Sequence, residues 1–153
     1  MNWLERRIPP PLAGALVGVA MWLVAPFGPV LALDPVTRHV IAACLVVVGI
    51  AFDLAGVRAF RAVRTTINPL APQRASTLVT AGVYRITRNP MYLGLCCILL
   101  GWAAWLAAPV PFLGPPVFVG YITRFQILPE ERALRQLFGE QYLRYAARVR
   151  RWL

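Results

Sequence analysis

The chain has 153 residues, 59% of them hydrophobic, with a mean hydropathy of +0.61, which is well above a soluble domain's composition and marks an integral membrane protein. Its 16 strong bases are all Arg against 6 acids, a formal charge of +10, an excess that serves nucleic acid, an anionic membrane surface or membrane topology. Cys44, Cys96 and Cys97 fall inside apolar segments and His39 is the single histidine, so neither a disulfide framework nor a metal site is expected.

Pro11 to Leu33 reads as a first spanning helix: it has no internal charge and, at about 1.5 Å per residue, crosses a hydrocarbon core of roughly 30 Å despite a break at Pro26. Arg6 and Arg7 ahead of it also admit a cleaved signal peptide, against which stand the length of the apolar run and the lack of a small-x-small cleavage site. Gly14 and Gly18 form a GxxxG, read as ordinary helix packing. A second span runs from about His39 to Phe60, after the turn DPVTRH. It carries Asp53, and an acid inside a span is a functional candidate; the competing reading pairs it with Arg58 near the interface. Thr65 to Arg74 is a linker whose two prolines exclude regular helix.

Met91 to Ala108 and Phe112 to Leu128 are the third and fourth spans, and Pro109-Val110-Pro111 joins them so tightly that an antiparallel hairpin follows. Gly94 and Gly101 share one side of the third helix and permit close packing. From Pro129 onward Leu134, Leu137, Phe138, Tyr142, Tyr145, Val149 and Trp152 recur at helical spacing with Arg132, Arg135, Arg144, Arg148 and Arg151 between them. This predicts an amphipathic helix, bent at Gly139, on the membrane surface or folded over a loop. The expected fold is therefore an all-α integral membrane domain, with about four transmembrane helices plus a C-terminal amphipathic cytoplasmic helix.

Arg positions test the topology. Two precede the first span, six run from Arg58 to Arg88 around the second-to-third connection and seven lie from Arg124 onward, so fifteen of the sixteen fall on one side and the positive-inside rule places both termini and the central loop in the cytoplasm. Topology thus accounts for the charge, and nucleic acid is not an expected partner. The absence of Lys points to a GC-rich, bacterial genome and hence to a bacterial inner membrane.

The stretch Ser76 to Gly94, STLVTAGVYRITRNPMYLG, is too polar and basic for hydrocarbon and separates two apolar segments. Asn89-Pro90 marks a helix start, with Asn as cap and Pro at the first helical position. The hairpin brings the start of the third span beside the end of the fourth, so Arg88, Asn89 and Tyr92 are expected to face Glu130 and Glu131. Two readings stand at this level: a polar site at a membrane edge, or topology-setting Arg and dipole-favoured Glu with no further role.

GVYRITRNPMYLG, followed after the hairpin by EERALRQLFGEQYLRYAARVRRW, resembles the isoprenylcysteine carboxyl methyltransferase family and its bacterial relatives, with phospholipid N-methyltransferases more distant. The resemblance covers about half the chain, from roughly Thr65 onward. It implies a single membrane domain over 1–153, in which 1–64 is a two-helix scaffold and 65–153 the cofactor-binding catalytic half. It also implies S-adenosylmethionine as cofactor without a Rossmann domain, and the chain has no GxGxxG loop.

Carried onto this sequence, the family's cofactor contacts fall on Ser76, Thr77, Leu78, Val79, Tyr84, Arg88, Asn89, Pro90, Met91, Tyr92, Glu130 and Glu131. Arg88, Tyr92 and Glu130 are the implied catalytic residues. A carboxylate suits the cofactor's amino or ribose hydroxyl groups, an Arg its carboxylate and a tyrosine face its sulfonium. The family's usual His is Asn89 here, and its substrate-clamping Arg is Gln126, with Arg124 two residues earlier. Arg124 and Gln126 are accordingly the candidate acceptor contacts, with Arg124 snorkelling to the interface as the alternative. The implied activity is methyl transfer to a lipophilic acceptor from the bilayer, a carboxylate by the family's precedent. Phospholipid amine methylation and a non-catalytic membrane scaffold are the alternatives, and the oligomeric state stays open.

Overall fold

A computed structural model describes Glu5, residues 7–63 and residues 76–153. The expected linker Thr65 to Arg74, like Arg6 and Arg64, lies outside the described residues. Helix α1 (Pro10–Val24) starts at a proline and passes into a 3-10 turn, Ala25–Phe27, at the break expected from Pro26. Helix α2 (Pro35–Ala62) is capped by Asp34, whose carboxylate accepts hydrogen bonds from Thr37 N at 2.9 Å and Thr37 Oγ1 at 3.1 Å. Its 28 residues make it longer than the span expected from His39 to Phe60.

After a 3-10 turn at Gly82–Arg85, helix α3 occupies Pro90–Leu106. Ala107 ends it in the left-handed region (φ 50°), and its carbonyl accepts a 2.7 Å hydrogen bond from Leu31 N, tying the α1–α2 connection to the far end of α3. A 3-10 turn, Val110–Leu113, leads into α4 (Gly114–Ile122), a π-helical segment Thr123–Ile127 and α5 (Leu128–Arg148). The helical backbone therefore continues through Pro129, which falls in the first turn of α5, where proline is tolerated. The expected bend is present at Gly139, whose φ of 45° and ψ of −122° interrupt the helix.

Small residues govern the packing. The buried residues of α2 are Ala42, Gly49 and Gly56, seven apart, and they meet Gly101, Gly94 and Met91 of α3 in reverse order, so the two helices run antiparallel along one seam. A Cβ on Gly49 would lie 2.6 Å from the Gly94 carbonyl oxygen, and one on Gly101 2.9 Å from that of Ala42. Gly14 of α1 faces Leu95 and Phe118, while the Gly18 carbonyl accepts a 3.0 Å bond from Trp102 Nε1.

A buried cluster of Met21, Tyr92, Leu99, Phe118, Ile122 and Ile127 joins α1, α3 and α4 to the π segment, and a second, of Leu78, Val79, Tyr84, Tyr142 and Tyr145, seats α5 on the loop before α3. The outward faces of α1 and α2 are apolar, with Leu16, Trp22, Val40, Val47 and Ile50 exposed. Pro10–Phe27 and Pro35–Ala62 are long and apolar enough to cross a membrane; α3 is a shorter apolar helix. The described residues contain no strand.

Candidate active site

A cavity of about 340 Å³ opens at the N-terminal end of α3, within the size range of small-ligand sites. Thr77, Leu78, Val79 and Tyr84 line it from the loop, and Arg88, Asn89, Met91, Tyr92 and Leu95 from the lead-in and first turns of α3. Ile127, Glu130, Glu131 and Leu134 form a stripe along the last helix at spacings of three and four residues, with Tyr142 and Tyr145 beyond the Gly139 bend. Asp53, Val57 and Phe60 of α2 and Pro10 and Pro11 of α1 complete the wall, so the half expected to be scaffold supplies part of the site.

The expected meeting of the two polar stretches is present. Tyr92 donates its hydroxyl to Glu130 Oε2 at 3.2 Å, and Arg88 Nη2 lies 3.3 Å from Glu131 Oε1 while its Nη1 donates to Tyr142 at 3.2 Å. Arg151, from the segment after α5, holds Glu131 with both ends of its guanidinium, Nε at 2.9 Å and Nη2 at 2.8 Å. That contact pushes the Arg151 pKa up, against its partial burial. Burial pushes the Tyr84 hydroxyl well above the ordinary tyrosine range, with Glu130 adding to the effect. Burial does the same at Tyr145 against the opposing Arg88 charge, so its hydroxyl is a neutral donor, and it bonds the Tyr84 carbonyl at 2.8 Å.

The structure gathers Thr77, Leu78, Val79, Tyr84, Arg88, Asn89, Met91, Tyr92, Glu130 and Glu131 around this cavity. Ser76 and Pro90 adjoin the lining without entering it; Pro90 is fully buried under Gly56. Asn89 stands at the N-cap position of α3 without capping it, because its Nδ2 reaches across to the Arg151 carbonyl at 2.9 Å. Thr87, wholly buried, accepts from Asn89 N and donates to the same carbonyl at 3.2 Å.

Arg124 and Gln126 are not brought to the cavity. Arg124 donates to Glu5 at 3.2 Å, beside a 2.7 Å bond from Arg132 to the same carboxylate, and Gln126, 1% exposed, donates to the Ile8 carbonyl at 2.6 Å. Six residues along an α-helix put Arg124 about 120° from Glu130, and the π segment between them alters the register; Ile127 and Glu130 line the cavity while Arg124 and Gln126 meet Glu5 and Ile8 of the N-terminal segment. Tyr142 and Tyr145, read from sequence only as the apolar face of a helix, prove to be lining residues, and Arg151 was not singled out. The tyrosine spacing was the available signal for the first two; Glu131 and Arg151 are 20 residues apart, with no local pattern to pair them.

Asp53 does not pair with Arg58. Five residues along an α-helix turn the side chain about 140° from its starting face, and Arg58 is exposed, whereas Asp53 Oδ1 is buried against Gly94 with no hydrogen-bond partner. An apolar groove of about 890 Å³ lies between α1, α2 and α3, lined by Gly18, Ala43, Trp102 and Trp105, and shares Leu95 with the lining of the cavity.

A helical chain with two membrane-length helices and a charged cavity at the N-terminal end of the shorter apolar helix α3 has the form of a membrane enzyme. Residues 37–141, more than half the chain, match the phospholipid methyltransferase family, and the chain belongs to that family of methyltransferases. It is 48% identical over 63 residues to an uncharacterized protein of Haemophilus influenzae, covering 41% of this chain and all of that one. It is 40% identical over 72 residues to protein-S-isoprenylcysteine O-methyltransferase B of Arabidopsis thaliana, covering 47% of this chain and 36% of that protein. The human protein-S-isoprenylcysteine O-methyltransferase is 37% identical over 73 residues, 48% of this chain and 26% of the human one. The chain thus spans about a third or less of these named enzymes. No solved structure matches it.

Proposed function

We propose that the protein is an S-adenosylmethionine-dependent integral membrane methyltransferase acting on a lipophilic acceptor. One observation supports this most: a single cavity combines Arg88, Glu130, Glu131 and a wall of tyrosines, at the end of an apolar helix and in a family of methyltransferases. Those residues fit the cofactor's chemistry, with a guanidinium for its carboxylate, carboxylates for its amino and hydroxyl groups, and aromatic faces for its sulfonium. When bound, the cofactor supplies an electrophilic methyl group. The protein's own residues position and enclose: Tyr92 orients Glu130, Arg151 and Arg88 fix Glu131, and Tyr84, Tyr142 and Tyr145 form a low-dielectric wall. In this reading α1, α2, α3 and the helical run from the Val110–Leu113 turn through α4 and the π segment cross a bacterial inner membrane, with α5 and the cavity on the cytoplasmic side. The acceptor's hydrocarbon chain enters along the groove that meets the cavity at Leu95.

For the acceptor's reactive head, a carboxylate leaves Arg88 as the one guanidinium lining the cavity among the described residues, shared with Glu131 and the cofactor. Asp53, which lines the cavity and has one carboxylate oxygen without a hydrogen-bond partner, favours the second reading, a lipid amine. Titration of the purified protein with S-adenosylmethionine tests the central proposal. Micromolar binding and label transfer to a lipid support it, whereas no binding at millimolar concentration would leave a membrane scaffold. The pH profile separates the acceptors: an ionised carboxylate gives a rate nearly flat from about pH 6 to 8, and an amine one that rises across that window.

A further inference from the structure

Asp53 stands apart from the other charged groups of the cavity. Glu131 is held by Arg88 and Arg151, Glu130 by Tyr92, and Glu5 by Arg124 and Arg132. None of these ion pairs includes Asp53, whose Oδ1 is sealed from solvent without a hydrogen-bond donor. Burying one carboxylate oxygen in this way is unfavourable, and an ionisable residue of a spanning helix that also lines the cavity, as Asp53 does, is a candidate contact for a ligand there.

Space for the carboxylate is provided by a missing side chain. A Cβ at position 94 would collide with Asp53 Oδ1, and any residue larger than glycine there would drive the carboxylate out of the helix seam. Gly94 lies one turn further into α3 than Met91, so Asp53 occupies the bilayer side of the cavity, away from the loop that carries Arg88. Leu95, the neighbour of Gly94, lines both this cavity and the apolar groove.

We infer that Asp53 is the acceptor-binding residue of the site: it receives the head of the incoming lipid through an N–H or O–H donor and disfavours an ionised carboxylate. This assignment rests on the methyltransferase reading for the acceptor's role, but the binding itself is measurable without turnover. A single-chain amphiphile entering by the groove would lay its hydrocarbon along α3 and present its polar end to Asp53. The acceptor and the cofactor then occupy opposite ends of one cavity, the former set by Asp53 and the latter by Arg88 with Glu130 and Glu131.

The test compares dodecylamine with dodecanoate for binding to the full chain in detergent by calorimetry, in wild type, Asp53→Asn and Asp53→Ser, with cofactor affinity measured in parallel. The wild type is expected to prefer the amine by at least tenfold. Both variants should lose that preference while keeping cofactor affinity within about twofold. Ser is smaller than Asp at the tight Gly94 contact, so it removes the charge without crowding the seam, and a retained helical circular dichroism spectrum confirms folding. Equal affinity for the two amphiphiles in wild type, or an amine preference that survives in either variant, overturns the assignment. Loss of cofactor affinity in both variants also overturns it, by placing Asp53 in the cofactor half. Absence of cofactor binding in wild type alongside the amine preference would instead sink the methyltransferase reading and leave Asp53 as an amine site.

Discussion

Arg151 holds Glu131 by two hydrogen bonds, 2.9 and 2.8 Å long, and the same residue's carbonyl receives bonds from Thr87 and Asn89. The segment after α5 is therefore laced onto the loop that leads into α3, and Arg88 N adds a further bond to the Arg150 carbonyl at 3.0 Å. Arg151→Ala is expected to weaken cofactor binding about tenfold, roughly 1.4 kcal/mol, by freeing Glu131 to turn toward Arg88 alone. Arg151→Lys should recover only part of this, since an ammonium cannot make the two-pronged contact. Unchanged affinity in the alanine variant would show that the contact is only structural.

Arg88→Ala and Glu130→Ala are expected to abolish measurable cofactor binding while the protein still inserts, because both side chains line the cavity and neither lies in the α2–α3 seam. Tyr92→Phe removes one hydrogen bond to Glu130 and should cost about 0.5–1.5 kcal/mol, a two- to tenfold loss. Calorimetry on detergent-solubilised variants distinguishes the two magnitudes.

The loop, the two Glu in the first turn of α5 and their meeting with Arg88 and Tyr92 were legible because a tight hairpin leaves little choice of neighbours. Helix starts fell within about one turn because Pro10, Pro35, Pro90 and the Pro109–Pro111 turn punctuate the chain, whereas the first span, expected to reach Leu33, ends in the Ala25–Phe27 turn, and the fourth, expected to reach Leu128, leaves the α-helix after Ile122. What escaped depended on tertiary distance or on backbone geometry. Asn89 has the residue type of a cap, yet its amide is drawn to a carbonyl 62 positions away. The seven-residue spacing of Ala42, Gly49 and Gly56 was present in the sequence, but only the facing Gly94 and Gly101 gave it meaning.

Arg124→Gln carries the clearest reversal. The sequence expectation makes Arg124 an acceptor clamp, for which its loss raises the acceptor KM at least tenfold; the structure places it on Glu5 at the surface. The expected result is an acceptor KM within about twofold of wild type and a stability change of about 0–1 kcal/mol, as for exposed ion pairs. A tenfold KM effect in steady-state assays would restore the clamp.

Gly49→Ala is expected to destabilise the protein by about 1–3 kcal/mol, seen as a lowered unfolding midpoint in detergent, because its Cβ would press on the Gly94 backbone at 2.6 Å. Gly18→Ala meets only a Leu99 methyl at 3.7 Å and should be close to neutral. Equal effects at the two positions would contradict the close α2–α3 approach.

The π segment at Thr123–Ile127 works as a spacer between two helices that are otherwise one rod. Each residue added to or taken from such a rod swings everything beyond it by about 100°. Removing one residue between Ile122 and Leu128 would leave α4 in place yet rotate Glu130 and Glu131 off the cavity together, along with the cradle for Arg151. This stretch is therefore constrained by its residue count as well as by the buried side chains of Gln126 and Ile127.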